Sequence, residues 1–105
     1  MNRVALGLAL VVATSAPAVA QRVSKVNGNR LLALCKQTDI TGCDAYVAGV
    51  ADTLTEKHAA CIPPQVTTEQ LRAVVLKTLN QHPEKRELSG AVIVLHSLTT
   101  AYPCK

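Results

Sequence analysis

Apolar residues recur at intervals of three and four along most of the chain, the spacing that places side chains on one face of an α-helix. Three such stripes are present. They are Cys43, Tyr46, Val47, Val50, Ala51 and Leu54; then Leu71, Val74, Val75 and Leu79; and finally Leu88, Ala91, Val92, Leu95, Leu98 and Tyr102. A shorter apolar segment predicts a first helix from about residue 29 to residue 37. The pattern therefore predicts an all-α protein, built as a small bundle of four helices.

Capping residues locate the starts of the second and third helices. Thr41 is the predicted N-cap of the second helix, with Asp44 as its acidic partner three residues later. Thr67 is the predicted N-cap of the third helix, with Gln70 in the corresponding position. Gly49 lies inside the second helix at a cost of about 1 kcal/mol relative to alanine. Close approach of a neighbouring backbone would explain this glycine, and chance tolerance is the alternative.

Prolines limit the third and fourth helices. Pro63 and Pro64 exclude a helix between the second and third stripes. Pro83 is predicted to end the third helix near residue 81 and to occupy the first turn of the fourth. In that arrangement Glu84 and Glu87 lie near the positive end of the fourth helix, where acidic side chains are stabilising.

The first twenty residues are predicted to be a cleaved signal peptide. Residues 2–3 supply a positive charge, residues 4–13 form an apolar run, and Ala18 and Ala20 are the small residues that a signal peptidase requires. The run is shorter than the about 20 residues of a spanning helix, so a retained membrane anchor is less favoured. Cleavage leaves residues 21–105, which suit a single exported helical domain.

Four cysteines follow the signal peptide: Cys35, Cys43, Cys61 and Cys104. An even number of cysteines in a small exported protein indicates disulfide bonds. If consecutive helices run antiparallel, Cys61 and Cys104 lie at one end of the bundle, and the other two flank the turn at the opposite end. This arrangement favours a disulfide-stapled bundle with the bridges Cys35–Cys43 and Cys61–Cys104. The pairing Cys35–Cys61 with Cys43–Cys104 stays open, because a strongly tilted fourth helix would allow it.

The remaining reactive side chains form no recognisable catalytic or metal motif. His58, His82 and His96 lack the ligand spacing of zinc sites. Ser89 and Ser97 lie in helical context, without the sharp turn that exposes a nucleophilic serine. No glycine-rich phosphate loop is present. We therefore predict no enzyme activity, no bound metal and no cofactor.

The charge of the mature chain is mildly positive. Removal of Arg3 with the signal peptide lowers the formal net charge of +4 by one. No basic run exceeds two residues, and the chain has no Trp or Phe to stack on bases. Nucleic-acid binding is therefore not expected. A basic surface does favour an acidic partner through electrostatic steering.

Motifs along the whole mature chain match one family in order. They are Gly28-Asn29-Arg30-Leu31-Leu32 with Cys35, Cys43-Asp44-Ala45-Tyr46-Val47-Ala48-Gly49-Val50-Ala51-Asp52, Cys61-Ile62-Pro63, Val66-Thr67 with Gln70-Leu71, Val74-Val75, Leu79, His82-Pro83-Glu84 and Tyr102-Pro103-Cys104. In these motifs, over residues 27–104, the chain resembles the Rap/Tai family of type VI secretion immunity proteins. It departs from the family pattern at Ala45, Ser97 and Tyr102, where glycine, a small apolar residue and phenylalanine are usual.

The resemblance implies a periplasmic protein that binds a toxic effector, typically a peptidoglycan amidase, and occludes its active site. It also implies a homodimer, and it requires no catalysis by this chain. Two alternatives come from other functional classes: an HdeA-like acid-stress chaperone and another periplasmic binding or regulatory protein. With seven acidic residues, the chain has few carboxylates that low pH can switch, so the chaperone is the least favoured.

Loops held by the helical scaffold are the predicted partner contacts. The preferred site is a dense group of charges around Pro83, which restricts the turn and so lowers the entropy lost on binding. It consists of His82, Glu84, Lys85, Arg86 and Glu87. One alternative site is the loop of residues 56–65, which two prolines stiffen. The other alternative is an ordinary solvated helix junction without a partner.

Overall fold

The computed structural model describes residues 23–105, and the predicted signal peptide lies outside these residues. Four helices make up the fold: α1 (Gly28–Cys35), α2 (Thr41–Glu56), α3 (Thr68–Gln81) and α4 (Gly90–Ala101). A 3-10 helix, Pro83–Lys85, lies between α3 and α4. Within the described part of the chain, β-structure is limited to an isolated antiparallel bridge between Asn27 and Ser89. The predicted all-α bundle of four helices is confirmed.

Aliphatic side chains fill the core. Each of α2, α3 and α4 packs against the other two, and α1 contacts all three. The largest fully buried side chains are Leu31, Leu79, Leu98, Val47, Val75, Val94 and Cys43. The predicted faces of α2 and α3 point into this core, because Val47, Leu54 and Leu71 are all buried. Burial of a Val or Leu side chain stabilises the fold by about 1.5–3 kcal/mol.

The start of α3 forms as predicted. The Thr67 side chain accepts a hydrogen bond from the backbone N–H of Gln70 at 3.1 Å, and the Gln70 side chain accepts one from the backbone N–H of Thr67 at 2.8 Å. This reciprocal capping box satisfies two backbone donors that a helix leaves without intrahelical partners. The helix also ends at Gln81, where Pro83 was predicted to stop it.

The predicted N-cap of α2 is wrong. Thr41 is the first helical residue, and the N-cap position falls on Ile40, whose side chain makes no capping hydrogen bond. Asp39 takes over part of the role, because its carboxylate accepts a hydrogen bond from the backbone N–H of Thr41 at 3.0 Å. Asp44 faces α3 and accepts hydrogen bonds from Nη1 of Arg72 at 2.6 and 2.7 Å. This acidic residue therefore joins two helices and does not cap one.

The fourth helix differs most from its prediction. Pro83 begins a short 3-10 helix, and α4 starts at Gly90 with Ser89 as its N-cap. Glu84 and Glu87 therefore precede α4, and their predicted placement in its first turn is wrong. The buried side of α4 is also rotated from the predicted stripe. The helix buries Ile93, Val94, Ser97 and Leu98, and leaves Val92 and Leu95 48% and 45% exposed.

Both favoured disulfides are present. Cys35–Cys43 joins the end of α1 to the start of α2, with Cα atoms 4.9 Å apart. Cys61–Cys104 joins the segment after α2 to the residues after α4, with Cα atoms 5.0 Å apart. The backbone N–H of Cys61 also donates to the carbonyl of Tyr102 at 2.8 Å. The C-terminal ends of α2 and α4 therefore lie side by side, as expected when each helix runs antiparallel to the next one along the chain.

The C-terminus of α2 has a left-handed residue that is not glycine. His58 has a φ of 56°. Its N–H donates to the carbonyl of Thr55 at 3.1 Å, and the N–H of Ala59 donates to the carbonyl of Leu54 at 2.8 Å. These two bonds form a Schellman motif, which normally places glycine at the left-handed position. A histidine there carries a steric cost of roughly 1–2 kcal/mol.

Gly49 has a different setting from the one expected. No atom lies within 4 Å of the position that a Cβ would occupy there, so the expected close approach of a backbone is wrong. The close approach occurs at Gly28 instead. A Cβ on Gly28 would lie 2.5 Å from Cδ1 of Ile93 and 2.7 Å from Cα of Arg86. Only glycine allows the start of α1 to pack this tightly against the segment before α4.

Candidate functional site

The segment between α3 and α4 places the five predicted contact residues on one compact turn, residues 82–87, called here the charged turn. Backbone bonds run from Lys85 N–H to the His82 carbonyl at 2.9 Å and from Arg86 N–H to the Pro83 carbonyl at 3.2 Å. Leu88 N–H then donates to the Lys85 carbonyl at 3.0 Å. The turn therefore presents its side chains from a defined backbone.

Three side chains of the charged turn are available to a partner. His82 and Glu84 are 41% and 65% exposed, and Nδ1 of His82 lies 3.2 Å from Oε2 of Glu84. A hydrogen bond from its own backbone N–H, followed by the one with His82, lowers the pKa of Glu84. Glu84 therefore stays anionic to lower pH than an ordinary glutamate. Lys85, which is half-buried, adds a cation beside this pair.

The other two residues of the charged turn make contacts within the protein. Nε of Arg86 donates to the carbonyl of Leu79 at 2.8 Å, near the end of α3. This bond satisfies a carbonyl in the last turn of a helix. Oε2 of Glu87 accepts a hydrogen bond from Nδ2 of Asn29, in the first turn of α1, at 3.0 Å. Arg86 and Glu87 therefore hold the turn in place.

Backbone hydrogen bonds fasten the same segment to α1. Gly28 N–H donates to the Leu88 carbonyl at 2.9 Å, and Asn29 N–H donates to the Arg86 carbonyl at 3.0 Å. With the Arg86 contact to α3, the segment is connected to two helices. A surface held in this way loses little conformational freedom when a partner binds.

An apolar groove of about 520 Å³ lies between α2 and α4. It is lined by Ala45, Tyr46, Gly49, Val50, Thr53, Leu54, Ala91, Val92 and Leu95, none of which is charged. Val92 and Leu95 are exposed on the α4 wall of this groove. Together with the exposed Leu88, just before α4, they are called here the α4 ridge. Leu88 is 47% exposed, similar to the other two. Together, the groove and the ridge form an apolar face of the kind that marks interaction sites.

Sequence reasoning missed this face because α4 is apolar on more than one side. The run Ala91-Val92-Ile93-Val94-Leu95 allows two stripes, one through Val92 and Leu95 and another through Ile93 and Val94. Spacing alone cannot choose between them. A short helix with two apolar faces was nevertheless a signal, because the second face needs another partner.

The alternative contact loop, residues 56–65, is anchored at several points. The left-handed His58 lies near its start. Its middle is held by the Cys61–Cys104 disulfide and by the hydrogen bond from Cys61 N–H to the Tyr102 carbonyl. Val66 N–H donates to the Pro63 carbonyl at 3.1 Å and closes the loop before α3. The loop is thus a second ordered surface, at the end of the bundle where α2 and α4 finish.

Residues 23–105 contain no helix that is both long and apolar enough to cross a bilayer. Over the same residues, no three His, Cys, Asp or Glu side chains group as metal ligands would. His82 and His96 line one cleft between α3 and α4, and His58 follows α2.

A family model described as Rap1a immunity proteins matches residues 27–104. The chain belongs to this family. The match includes all four helices and all four cysteines, and it confirms the resemblance that the motifs indicated. Comparisons with curated proteins and with solved structures each found no match. Immunity proteins act by binding a protein effector and are in general not enzymes. Membership of the Rap1a family therefore makes the charged turn and the apolar face candidate contacts with a protein partner.

Proposed function

We propose that this Rap1a-family protein is a periplasmic immunity protein that binds a type VI secretion effector, a peptidoglycan amidase, and occludes its active site. The family match over residues 27–104 carries the proposal. Two disulfides support export, because such bonds persist in the oxidising periplasm. Occlusion requires a rigid surface that excludes substrate, and it requires no catalytic group.

The charged turn is the proposed contact with the amidase. His82, Glu84 and Lys85 supply the groups that face the partner, while Arg86 and Glu87 keep the turn fastened to α3 and α1. A turn that is ordered before binding gives higher affinity, because less conformational entropy is lost in the complex. The loop of residues 56–65 is the second candidate contact.

Inhibition of a purified amidase tests the function. The test enzyme is a peptidoglycan amidase effector, sought among the genes adjacent to this one, and its release of peptides from cell-wall sacculi is measured while the purified protein is added. We expect inhibition that is complete near a one-to-one ratio. Unchanged amidase activity at a large excess of the protein would contradict the proposed function.

A charge-swap variant tests the contact. Glu84→Lys combined with Lys85→Glu reverses both charges and leaves Arg86 in place, so the bond to α3 survives. We expect the amidase to bind at least about tenfold more weakly, since charge-assisted hydrogen bonds contribute roughly 1.5–3 kcal/mol each. Lys36→Glu, an exposed change beyond the end of α1, serves as the control. Unchanged affinity of the swap variant would move the contact to residues 56–65.

We also propose that the apolar face mediates a homodimer. The α4 ridge forms one wall of the groove, so a two-fold axis can pack the ridge of each copy into the groove of the other. A groove lined by no charged residue resembles the apolar centre of homodimer interfaces. An effector active site, in contrast, must admit a polar cell-wall substrate, and the charged turn suits it better.

Analytical ultracentrifugation tests the dimer. We expect a dimer for the natural protein and a folded monomer for Val92→Glu with Leu95→Glu, because both new carboxylates would be buried in the interface. Ala73→Glu, an exposed change on α3, is the control and should remain dimeric. A monomeric natural protein at high concentration would exclude this assignment of the apolar face.

The acid-stress chaperone receives less support. Its activation requires carboxylates whose protonation opens the fold. Within residues 23–105, only one ion pair, between Asp44 and Arg72, joins two helices, so protonation has few such contacts to break. Disulfides at both ends of α2 limit any such opening. Protection of unfolded clients from aggregation at acidic pH, without amidase binding, would favour the chaperone instead.

A further inference from the structure

A cleft with several ionisable side chains lies between α3 and α4, whereas the apolar groove lies between α2 and α4. The main cavity has a volume of about 340 Å³. A smaller cavity of about 140 Å³ shares Thr78 and His96 with it, and Lys85 together with the apolar Leu88, Val92 and Ile93 completes its lining. The two cavities are neighbours, because they share these two residues, and together they are called here the basic cleft. Its volume is at the lower end for ligand sites, which suits a single side chain.

Lysine and histidine supply all the ionisable groups of the basic cleft. Two lysines and two histidines line it: Lys77, His82, Lys85 and His96. No aspartate or glutamate belongs to the lining. Within residues 23–105, no acidic side chain forms an ion pair with either lysine or with His96. Glu84, which is outside the lining, is the acidic group that contacts His82, with Oε2 3.2 Å from its Nδ1.

The neutral polar groups of the cleft also include hydrogen-bond donors. Gln81 contributes an amide and Thr100 a hydroxyl. The Thr78 hydroxyl is already used, because it donates to the Val74 carbonyl at 3.4 Å. Lysine donates three hydrogen bonds, whereas an ionised carboxylate only accepts them. Charge-assisted bonds between the two are about twice as strong as neutral ones. The cleft is therefore complementary to a carboxylate.

We propose that the basic cleft receives an aspartate or glutamate side chain of the effector protein. The identity of the partner rests on the proposed function, but the chemistry rests on the cleft itself. His82 belongs both to the charged turn and to the lining of the cleft. A partner that docks on the turn therefore reaches the cleft within the same interface. The incoming carboxylate takes the place of Glu84 beside His82 and bonds to Lys77 and His96.

A peptide probe tests this site without any effector. The probe is a short blocked peptide with three glutamates, and its match has glutamines at the same positions. Both are titrated into the isotope-labelled protein and followed by ¹H–¹⁵N NMR. We expect saturable shifts at Lys77, His82, His96 and Thr100 with the glutamate peptide, and no saturable shifts with the glutamine peptide.

Variants decide whether the cleft is responsible. The double variant Lys77→Glu, His96→Glu replaces two exposed basic side chains of the lining by acidic ones. We expect it to weaken binding of the glutamate peptide by at least about tenfold. Lys36→Glu should leave the affinity unchanged. Equal binding of the two peptides, or shifts spread over lysines outside the cleft, would overturn the proposal. Binding to anionic lipid vesicles with no response to the peptide would also overturn it. Peptide binding without amidase inhibition would retain the cleft and reject the proposed function.

Discussion

Asn27 and Ser89 are the N-caps of α1 and α4, and they face each other across the isolated antiparallel bridge. The Asn27 side chain accepts from Arg30 N–H at 2.9 Å, and the Ser89 hydroxyl oxygen accepts from Ala91 N–H at 3.2 Å. The hydrogen bonds that flank the bridge, Gly28 N–H to Leu88 O and Gly90 N–H to Val26 O, are both 2.9 Å long. The starts of two helices distant in sequence are therefore built as one unit.

We expect the two caps to be energetically coupled. Asn27→Ala and Ser89→Ala should each lower the free energy of unfolding by about 1 kcal/mol, the usual loss of an N-cap. The double variant should lose less than the sum, by about 0.5 kcal/mol or more, because the first change already loosens the bridge. Urea unfolding of the four proteins measures this coupling, with Thr38→Ala as an exposed control. Additive losses would show that the caps act independently.

Two glycine-to-alanine changes should have opposite signs. At Gly28, the added Cβ meets Ile93 and the backbone of Arg86 within 2.8 Å, so we expect a loss of about 1–3 kcal/mol from overpacking. At Gly49, the Cβ enters open space, and alanine is favoured in a helix by about 1 kcal/mol. Because Gly49 lines the groove proposed for the dimer, thermal unfolding of both variants in the monomeric Val92→Glu, Leu95→Glu background tests this contrast. A stabilising Gly28→Ala would refute the tight packing of α1.

The two disulfides should differ in their resistance to reduction. Cys61 and Cys104 are exposed, whereas Cys35 and Cys43 are 6% and 0% exposed. Under native conditions, a mild phosphine reductant followed by alkylation should label Cys61 and Cys104 first, as peptide mapping would show. The chain-entropy model predicts that reduction of Cys61–Cys104, which closes the longer loop, lowers the free energy of unfolding by about 4 kcal/mol. For Cys35–Cys43 the same model gives about 2.5 kcal/mol. Simultaneous labelling of all four cysteines would mean that reduction requires global unfolding.

Asp39 should make stability depend on pH. Hydrogen bonds from the Thr41 side chain, and then from its backbone N–H, lower the pKa of Asp39 below its ordinary value of 3.8. A carboxylate whose pKa is lowered in the folded state stabilises the protein above the unfolded-state pKa. This stabilisation is lost as the pH falls through the folded-state value.

Asp39→Asn should therefore be less stable than the natural protein at neutral pH and nearly equal to it when the carboxylate is protonated. Urea unfolding at neutral pH and in acid measures the difference in unfolding free energy between the variant and the natural protein. Asp52→Asn, on the outer surface of α2, is the control. A gap between the Asp39 variant and the natural protein that persists in acid would show that charge is not its cause.

The amino-acid sequence determined the helical class and the boundaries of α3, and it favoured the observed pairing of the cysteines. These features depend on local signals or on simple geometry. Thr67 and Gln70 are three residues apart and cap their helix without distant help. The length of α2 keeps Cys43 far from Cys61, so antiparallel helices bring Cys61 to Cys104.

Only the tertiary structure decided the orientation of α4 and the surfaces beside it. Its apolar run fits the core in two registers, and packing against α2 and α3 buries Ile93 and Val94 while Val92 and Leu95 form the exposed ridge. The roles of Arg86 and Glu87 depend on Leu79 and Asn29, which no local pattern connects to the charged turn. Such contacts arise from the packing of distant segments, and spacing along the chain carries no information about that packing.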